Sequence, residues 1–368
     1  MSQTEIRGGP GTRVDDLTVE QAPPGERVTL RTIADRVGVS RMTVSNAFAK
    51  PDQLSGALRE RILLVAAELG YVGPDPAARA LARGATGSVG MLLTDSLGQA
   101  FYNAYATAFL AATADALADA GLALTLVTAG RECGSIPARD VAMDGVLVYV
   151  CEPRGEDLGW LRRRGLPLVG VDQEPVAGGW NVNIDDRAGA RAGAQHLLDL
   201  GHRNIAIMTL GTGDAADPLL ATTVYAARQR WLGWQDALSA AGVVPQIAFQ
   251  VTHESGAGYP GARTLLSGPD RPTAVLCFAD VLAADVLRAA AELGLDVPGD
   301  VSVVGFDDSV VAAQLHLTTV RQDIAAKAAA AVEILTEVIA ARRGGTAAEP
   351  QHRMIPTELI VRASTQRV

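Results

Sequence analysis

The chain has 368 residues, of which 48% are hydrophobic and 20% charged, with a formal net charge of −9. That length exceeds one ordinary core and predicts two or three domains. No run of about 18 apolar residues is free of charges and breakers, which excludes a membrane-spanning helix.

The amino-terminal residues set Glu5, Asp15, Asp16 and Glu20 among Gly and Pro, with no apolar run. They lack the basic start and apolar centre of a secretory signal, so residues 1–26 are expected to form a disordered tail. Cys133, Cys151 and Cys277 are scattered and odd in number, which predicts reduced, buried thiols in a cytoplasmic protein.

The net charge hides an asymmetry. Residues 26–84 carry nine basic side chains against six acidic ones, a balance of +3, which leaves −12 on the rest. Screening erases charge effects beyond about 8–10 Å, so the local field decides whether phosphates can bind. A basic head on an acidic body is compatible with double-stranded DNA.

Leu30, Ile33, Ala34 and Val37 recur at helical spacing after Thr29, a capping residue. Gly38 stops that helix and Ser40 caps a second, with Thr43, Val44 and Ala47 facing inward. Two short helices around a Gly-containing turn make a helix-turn-helix. A third helix follows Ser55, with Leu58, Ile62, Val65, Ala66 and Leu69 as its stripe. On spacing alone a plain three-helix bundle competes equally. The second helix tips the reading, because Arg41, Met42, Ser45 and Asn46 project outward, where they can reach base edges or phosphates in a major groove.

Asp75-Pro76 followed by an Ala-rich run starts a helix that Gly84 ends. About two turns of mostly Ala are marginal alone, so a partner must stabilise them.

From Ser88 onward, short apolar runs alternate with helical ones. Strands are expected at Val89–Leu93, Leu122–Val127, Gly145–Tyr149, Leu166–Val171, Asn181–Ile184, Ile205–Met208, Ala274–Phe278 and Val301–Phe306, with a last strand-like run at Glu358–Arg362. Helices are expected at Tyr102–Ala120, Ala188–Leu200, Gln229–Ala241 and Val281–Leu293. Such alternation means parallel sheets covered on both faces, here enough for two subdomains. Ligands of open α/β sheets sit beyond the carboxyl ends of the strands. Asp172, Asp280 and Asp307 each follow a strand, and Arg230 is read as opening a helix, where the dipole disfavours a cation. Carboxylates and an Arg fork in a cleft can bind sugar hydroxyls. Trp231 and Trp234 are read as core.

Enzyme signatures are missing. There is no G-x-x-x-x-G-K-[ST] loop, the only lysines being Lys50 and Lys327, and no G-x-S-x-G elbow. The five histidines show no metal spacing, and neither metal nor cofactor is expected.

The run VTLRTIADRVGVSRMTVSNAF followed by LRERILLVAAELGYVGPDPAARALARG resembles the DNA-binding head of the lac repressor/galactose repressor family. Downstream, NIDDRAGARAGAQHLLDLGHRNIAIM, RQRWLGWQDALSAAG, PTAVLCFADVLAADVLRAAAELGLDVPGDVSVVGFDDS and LTTVRQDI resemble, in order, blocks of that family's sensor domain. The resemblance covers residues 28–363. It implies an all-α helix-turn-helix head joined to an α/β periplasmic-binding-protein-like sensor of two parallel-sheet subdomains. The function implied is a repressor-type transcription regulator, a homodimer on a pseudo-palindromic operator, controlled by a sugar-like effector. The alternative is a periplasmic-type small-molecule-binding protein with no DNA role. It sits poorly with a DNA-binding head and no export signal.

The implied domains are a head at 27–73, a hinge at 74–87 and a sensor at 88–368. Within the sensor, about 88–185 and 318–348 form one subdomain, and about 186–317 and 349–363 the other. Thr29, Ser40, Arg41, Met42, Thr43, Ser45 and Asn46 become candidate DNA contacts. Leu81 falls where the family wedges a Leu into the minor groove, with Arg79 suited to phosphates. Arg230 and Asp307 match the family's regular effector contacts, Asp172 and Thr94 less regular ones. Asp280, Phe101 and Tyr102 complete the set. Asn46 stands where many members carry Arg, which puts the operator sequence in doubt. Ala279 stands where sugar-binding members often carry Asn, which weakens the case for a standard hexose.

Overall fold

The computed structural model describes residues 28–73, 75–93, 97–128, 136–149, 155–211, 224–250 and 255–368. The expected tail, Thr94, Cys133 and Cys151 therefore lie outside the described residues. The chain divides into one unit ending at Thr86 and a second beginning at Gly87.

The first unit is helical. Helix α1 (Leu30–Val37) begins with a capping box between Thr29 and Thr32 and ends on left-handed Gly38. Helix α2 (Arg41–Ala49) is capped by Ser40 and α3 (Gly56–Glu68) by Ser55. Ile33, Ala34, Val37, Val44, Ala47, Ile62 and Ala66 form their common core. Helix α4 (Pro76–Arg83) starts on Asp75, whose carboxylate accepts from the Ala77 and Ala78 amides at 2.7 and 3.2 Å, and it buries no residue. The four capping residues expected from sequence are all in place.

The second unit runs β1 (Ser88–Leu93), α5 (Leu97–Tyr102), α6 (Ala104–Asp119), β2 (Ala123–Thr128), α7 (Pro137–Asp140), β3 (Gly145–Tyr149), α8 (Gly155–Arg163), β4 (Leu168–Val171) and β5 (Trp180–Ile184). It continues with α9 (Asp186–Asp199), β6 (Ile205–Leu210), α10 (Tyr225–Ala240), β7 (Gln246–Gln250), α11 (Tyr259–Ser267), β8 (Ala274–Cys277), α12 (Asp280–Glu292), β9 (Ser302–Asp307), α13 (Val310–Gln314) and β10 (Thr318–Gln322). Last come α14 (Ile324–Arg343), β11 (Gln351–Ile355) and β12 (Thr357–Ile360).

Two six-stranded sheets result, ordered β11-β5-β4-β3-β1-β2 and β12-β10-β9-β8-β6-β7. All pairs are parallel except β10 with β12. The two sheets share one strand order, each reversing direction beside its first strand, which is where doubly wound folds place ligands.

The chain crosses between the sheets three times, after β5, after β10 and between β11 and β12. This corrects the expected boundaries. Thr318–Gln322 extends the second sheet by pairing with β9, and Gln351–Ile355 extends the first by pairing with β5. Two crossovers are tied together, since the Asp185 amide donates to the Ile355 carbonyl and the Thr357 hydroxyl to the Asp185 carbonyl at 2.8 and 3.0 Å.

Helices α9 and α10 approach closely over Gly233, where a Cβ would stand 2.1 Å from the Arg187 carbonyl oxygen. Only Gly permits that contact. Trp231 and Trp234 are buried there as expected, and Cys277 is buried in β8. Among the described residues no helix is long and apolar enough to cross a membrane.

Candidate functional site

The amino-terminal end of α2 presents Arg41 and Met42 outward, Met42 being 71% exposed although apolar. Ser40 accepts from the Thr43 amide at 3.0 Å, and the two hydroxyls lie 2.8 Å apart. Ser40 and Thr43 thus fix the helix start. Asn46 is half-buried, and its amide donates to Gln53 at 3.2 Å, so it is partly committed inside the head. Ser45 is half-buried and Thr29 exposed on its cap. On α4, Leu81 is 87% exposed and Arg79 is exposed beside it. An isolated helix with an apolar side chain in water is poised for a partner.

The second site lies at the carboxyl ends of the strands of both sheets. Arg230 is buried, the sixth residue of α10, so it does not open the helix as the sequence reading had it. The predicted start at Gln229 was four residues late, because Tyr225–Arg228 carries no strong start signal and Val224 makes no side-chain cap. The Arg230 guanidinium donates to Asp186 at 2.7 Å and to the Phe278 carbonyl, and lies 3.7 Å from Asp307. It is stacked over Phe306 and Phe278, its central carbon 3.6 and 4.4 Å from the ring centroids. A planar, always-charged fork suits this mixed setting, where a point charge would not.

Asp307 closes β9 with φ of 117°, followed by Asp308 at 56°. Two successive non-glycine residues in that region are strained, and such corners persist only when their surroundings hold them. Here Arg321 and Arg362 hold Asp308 at 2.7 and 2.5 Å. Gln322, at the end of β10, donates to Asp307 at 2.6 Å. Burial and the nearby Asp280 push the Asp307 carboxyl well above its ordinary range, against the pull of Arg230.

Asp172 closes β4, buried and left-handed with φ of 55°. Its partner is Lys327 of α14, whose ammonium also donates to the Tyr105 hydroxyl. Tyr105 in turn donates to Gln322 at 2.5 Å. A chain of polar contacts therefore runs from Asp172 through Lys327, Tyr105 and Gln322 to Asp307, bridging the two sheets.

The expected residues divide. Arg230, Asp307 and Asp172 come together in this buried cluster. Asp280 is buried, but its oxygens accept from the Ser309 amide and the Thr319 hydroxyl at 2.7 and 2.5 Å, so it braces the second subdomain. Phe101 and Tyr102 are exposed on α5 and stay out of the cluster, and Thr94 is outside the described residues. Sequence reasoning missed Tyr105, Asp186, Gln322 and Lys327. Lys327 had a legible signal: it shares a helical stripe with Ala331, Ile334 and Val338, all buried.

Burial raises the Asp280 carboxyl to about 6, opposed by its bonds from Thr319 and Ser309. A folded-state value above the unfolded one means that folding retains a proton. Its contribution to stability is present below about pH 4 and disappears as pH rises to about 6, a change of roughly 3 kcal/mol. The stability of Asp280→Asn relative to wild type should therefore improve by about that much between pH 4 and pH 7 in urea unfolding. A pH-independent difference would show that Asp280 titrates normally.

A family model for bacterial regulatory proteins of the lacI family matches residues 29–73, and one for the periplasmic binding protein-like domain matches residues 194–365. An HTH-type transcriptional regulator of Mycolicibacterium smegmatis is 38% identical, over 81% of this chain and 87% of its own. Among solved structures, a transcriptional regulator CelR–cellobiose complex is similar with TM-score 0.65 and 28% identity, covering 92% of this chain and all of that one. The lac repressor dimer bound to operator and the anti-inducer ONPF is similar with TM-score 0.75 and 25% identity, covering 93% and 100%.

Proposed function

Because the chain belongs to the lacI family of bacterial regulatory proteins, it is a DNA-binding transcription regulator, and we propose that it is a repressor whose operator affinity is set by a sugar-like effector in the sensor cleft. In this reading residues 27–73 are the head, 74–87 the hinge and 88–368 the sensor, working as a cytoplasmic homodimer on a pseudo-palindromic operator. Arg41 and Met42 read base edges in the major groove, with Ser45, Thr29 and the Ser40–Thr43 cap near phosphates. Two α4 helices meet at the operator centre, where Leu81 wedges into the minor groove and Arg79 meets a phosphate.

The observation that carries the effector half is the buried Arg230–Asp186–Asp307 cluster at the strand ends. A globular core gains little from ion pairs that apolar residues could replace, so their burial favours a binding role. Effector contact is assigned to Arg230, Asp307 and Asp172, at the same relative position in the fold as a ligand would occupy. Closure of the cleft on an effector shifts one subdomain against the other and alters hinge spacing, a coupling of about 1–3 kcal/mol. The cleft binds and releases its ligand without chemistry.

The test has two arms. Selection from random-sequence DNA by the full chain should yield a pseudo-palindromic consensus, and deletion of residues 1–84 should abolish it. A melting screen with cellobiose, glucose, ribose and related sugars should find a stabilising ligand by mass action, and that ligand should change affinity for the selected duplex. A consensus with no ligand response would leave a constitutive DNA binder; no consensus in any ligand state would end the proposal.

A further inference from the structure

Two carboxylates in the cleft share an arrangement that the sequence did not mark. Asp172 gives one oxygen to Lys327 and Asp186 gives one to Arg230, and all four side chains are buried. The other oxygen of each, Asp172 Oδ1 and Asp186 Oδ2, is buried with no hydrogen-bond partner. The two pairs belong to one site, because Arg230 also lies 3.7 Å from Asp307, which Gln322, Tyr105 and Lys327 link in turn to Asp172. They sit on opposite subdomains, Asp172 at the end of β4 and Asp186 at the start of α9.

A buried acceptor without a donor costs about 1–3 kcal/mol, and native proteins keep few of them. Two such oxygens flanking one cleft call for a ligand that brings donors. The donors between them are already directed elsewhere: Lys327 to Asp172 and Tyr105, Tyr105 to Gln322, and Gln322 to Asp307. The charge agrees with this. Lys327 is paired with Asp172 and Arg230 with Asp186, and Arg230 also faces Asp307, so both buried cations of the site are already matched. A phosphate ester offers acceptors and further negative charge, while a neutral polyol offers a hydroxyl to each oxygen.

We propose that Asp186 and the Lys327–Asp172 pair determine effector selectivity, each carboxylate accepting one hydroxyl of an uncharged polyol and together rejecting its phosphorylated counterparts. Lys327 is a positioning residue. Its ammonium lies 4.7, 5.0 and 6.0 Å from the ring centroids of Tyr105, Phe109 and Tyr149, whose faces attract a cation. It fixes one Asp172 oxygen so that the other faces the ligand. The proposal rests on the reading of the cleft as the effector site, and the test separates the two.

The full chain would be titrated by calorimetry and melting with unmodified hexoses, pentoses, disaccharides and alditols, and in parallel with their phosphate esters. At least one neutral compound should bind, and its phosphate ester should bind at least 100-fold more weakly. Asp186→Asn, which replaces a free acceptor by a donor, should weaken the neutral ligand at least tenfold and narrow the preference over the ester. Lys327→Met alone strands a buried carboxylate, so Lys327→Met/Asp172→Asn is the variant to use. It should fold, as judged by circular dichroism, and lose the neutral ligand by a similar factor with a narrowed preference. Esters binding as tightly as neutral sugars, or unchanged affinity in both variants, would overturn the selectivity proposal while leaving an effector site. No response to any compound in either panel would overturn the effector reading itself, and this proposal with it.

Discussion

Arg230→Ala is expected to lower the stability of the sensor unit by about 3–5 kcal/mol and to abolish the effector response. The guanidinium is the shared partner of Asp186, 2.7 Å away, and of Asp307, 3.7 Å away, and both carboxylates are buried. Removing the cation leaves two desolvated acids without it. Asp186 is already pushed to about 6, chiefly by burial, with Arg230 pulling it down, so its loss raises that value further. The bond from Arg230 to the Phe278 carbonyl is lost, and so is the plane stacked on Phe306 and Phe278. Arg230→Lys should recover little, because a point charge cannot reach Asp186 and the carbonyl in one fork. Arg230→Met with Asp186→Asn should recover much of the stability but none of the response, since it removes paired charges together. Urea unfolding of the three variants checks the ordering. A loss below about 1 kcal/mol for Arg230→Ala would mean that the pair is solvated and the cluster is not the closed site described.

The parts of this molecule that could be read from sequence are those whose signals are local. Thr29, Ser40, Ser55 and Asp75 cap because each needs only the amides two or three residues on, and all four do so. The central strands were legible as apolar runs, because a strand covered on both faces carries nothing else. Three strands were not. Gln246–Gln250 and Gln351–Ile355 are sheet edges with polar residues, and Thr318–Gln322 is central yet polar. Thr318, Thr319 and Gln322 are buried there because partners far along the chain satisfy them: Ser364, Asp280 and Asp307. That polarity is why the second crossover was placed one strand early.

The cleft shows the same division. Arg230, Asp172 and Asp307 stood out by type and by position beside a strand or helix. Asp186 did not, since its role depends on an Arg 44 residues away. Tyr105, three residues beyond Tyr102, carries no local signal that sets it apart. Only the turn of α6 brings it to Lys327 and Gln322.

Leu81→Ala is expected to weaken binding to the selected operator about 10- to 100-fold while changing affinity for a scrambled duplex by less than about threefold. The free protein should hardly register the change. Helix α4 buries nothing and Leu81 is 87% exposed, so no packing is lost, and Ala is at least as good a helix former. The cost falls on the complex. An apolar wedge between base steps moves from water into the stack, and truncation to Ala forfeits about 2 kcal/mol of burial together with the kink it supports. Scrambled DNA is held by phosphate contacts, which this side chain does not make. Arg79→Ala provides the contrast. It should weaken both duplexes by similar factors and reduce the salt slope by about one. Fluorescence anisotropy with both duplexes at two salt concentrations measures all four quantities, and circular dichroism melting confirms intact folding. Equal losses on operator and scrambled DNA for Leu81→Ala would place the side chain outside the groove and make α4 a linker rather than a wedge.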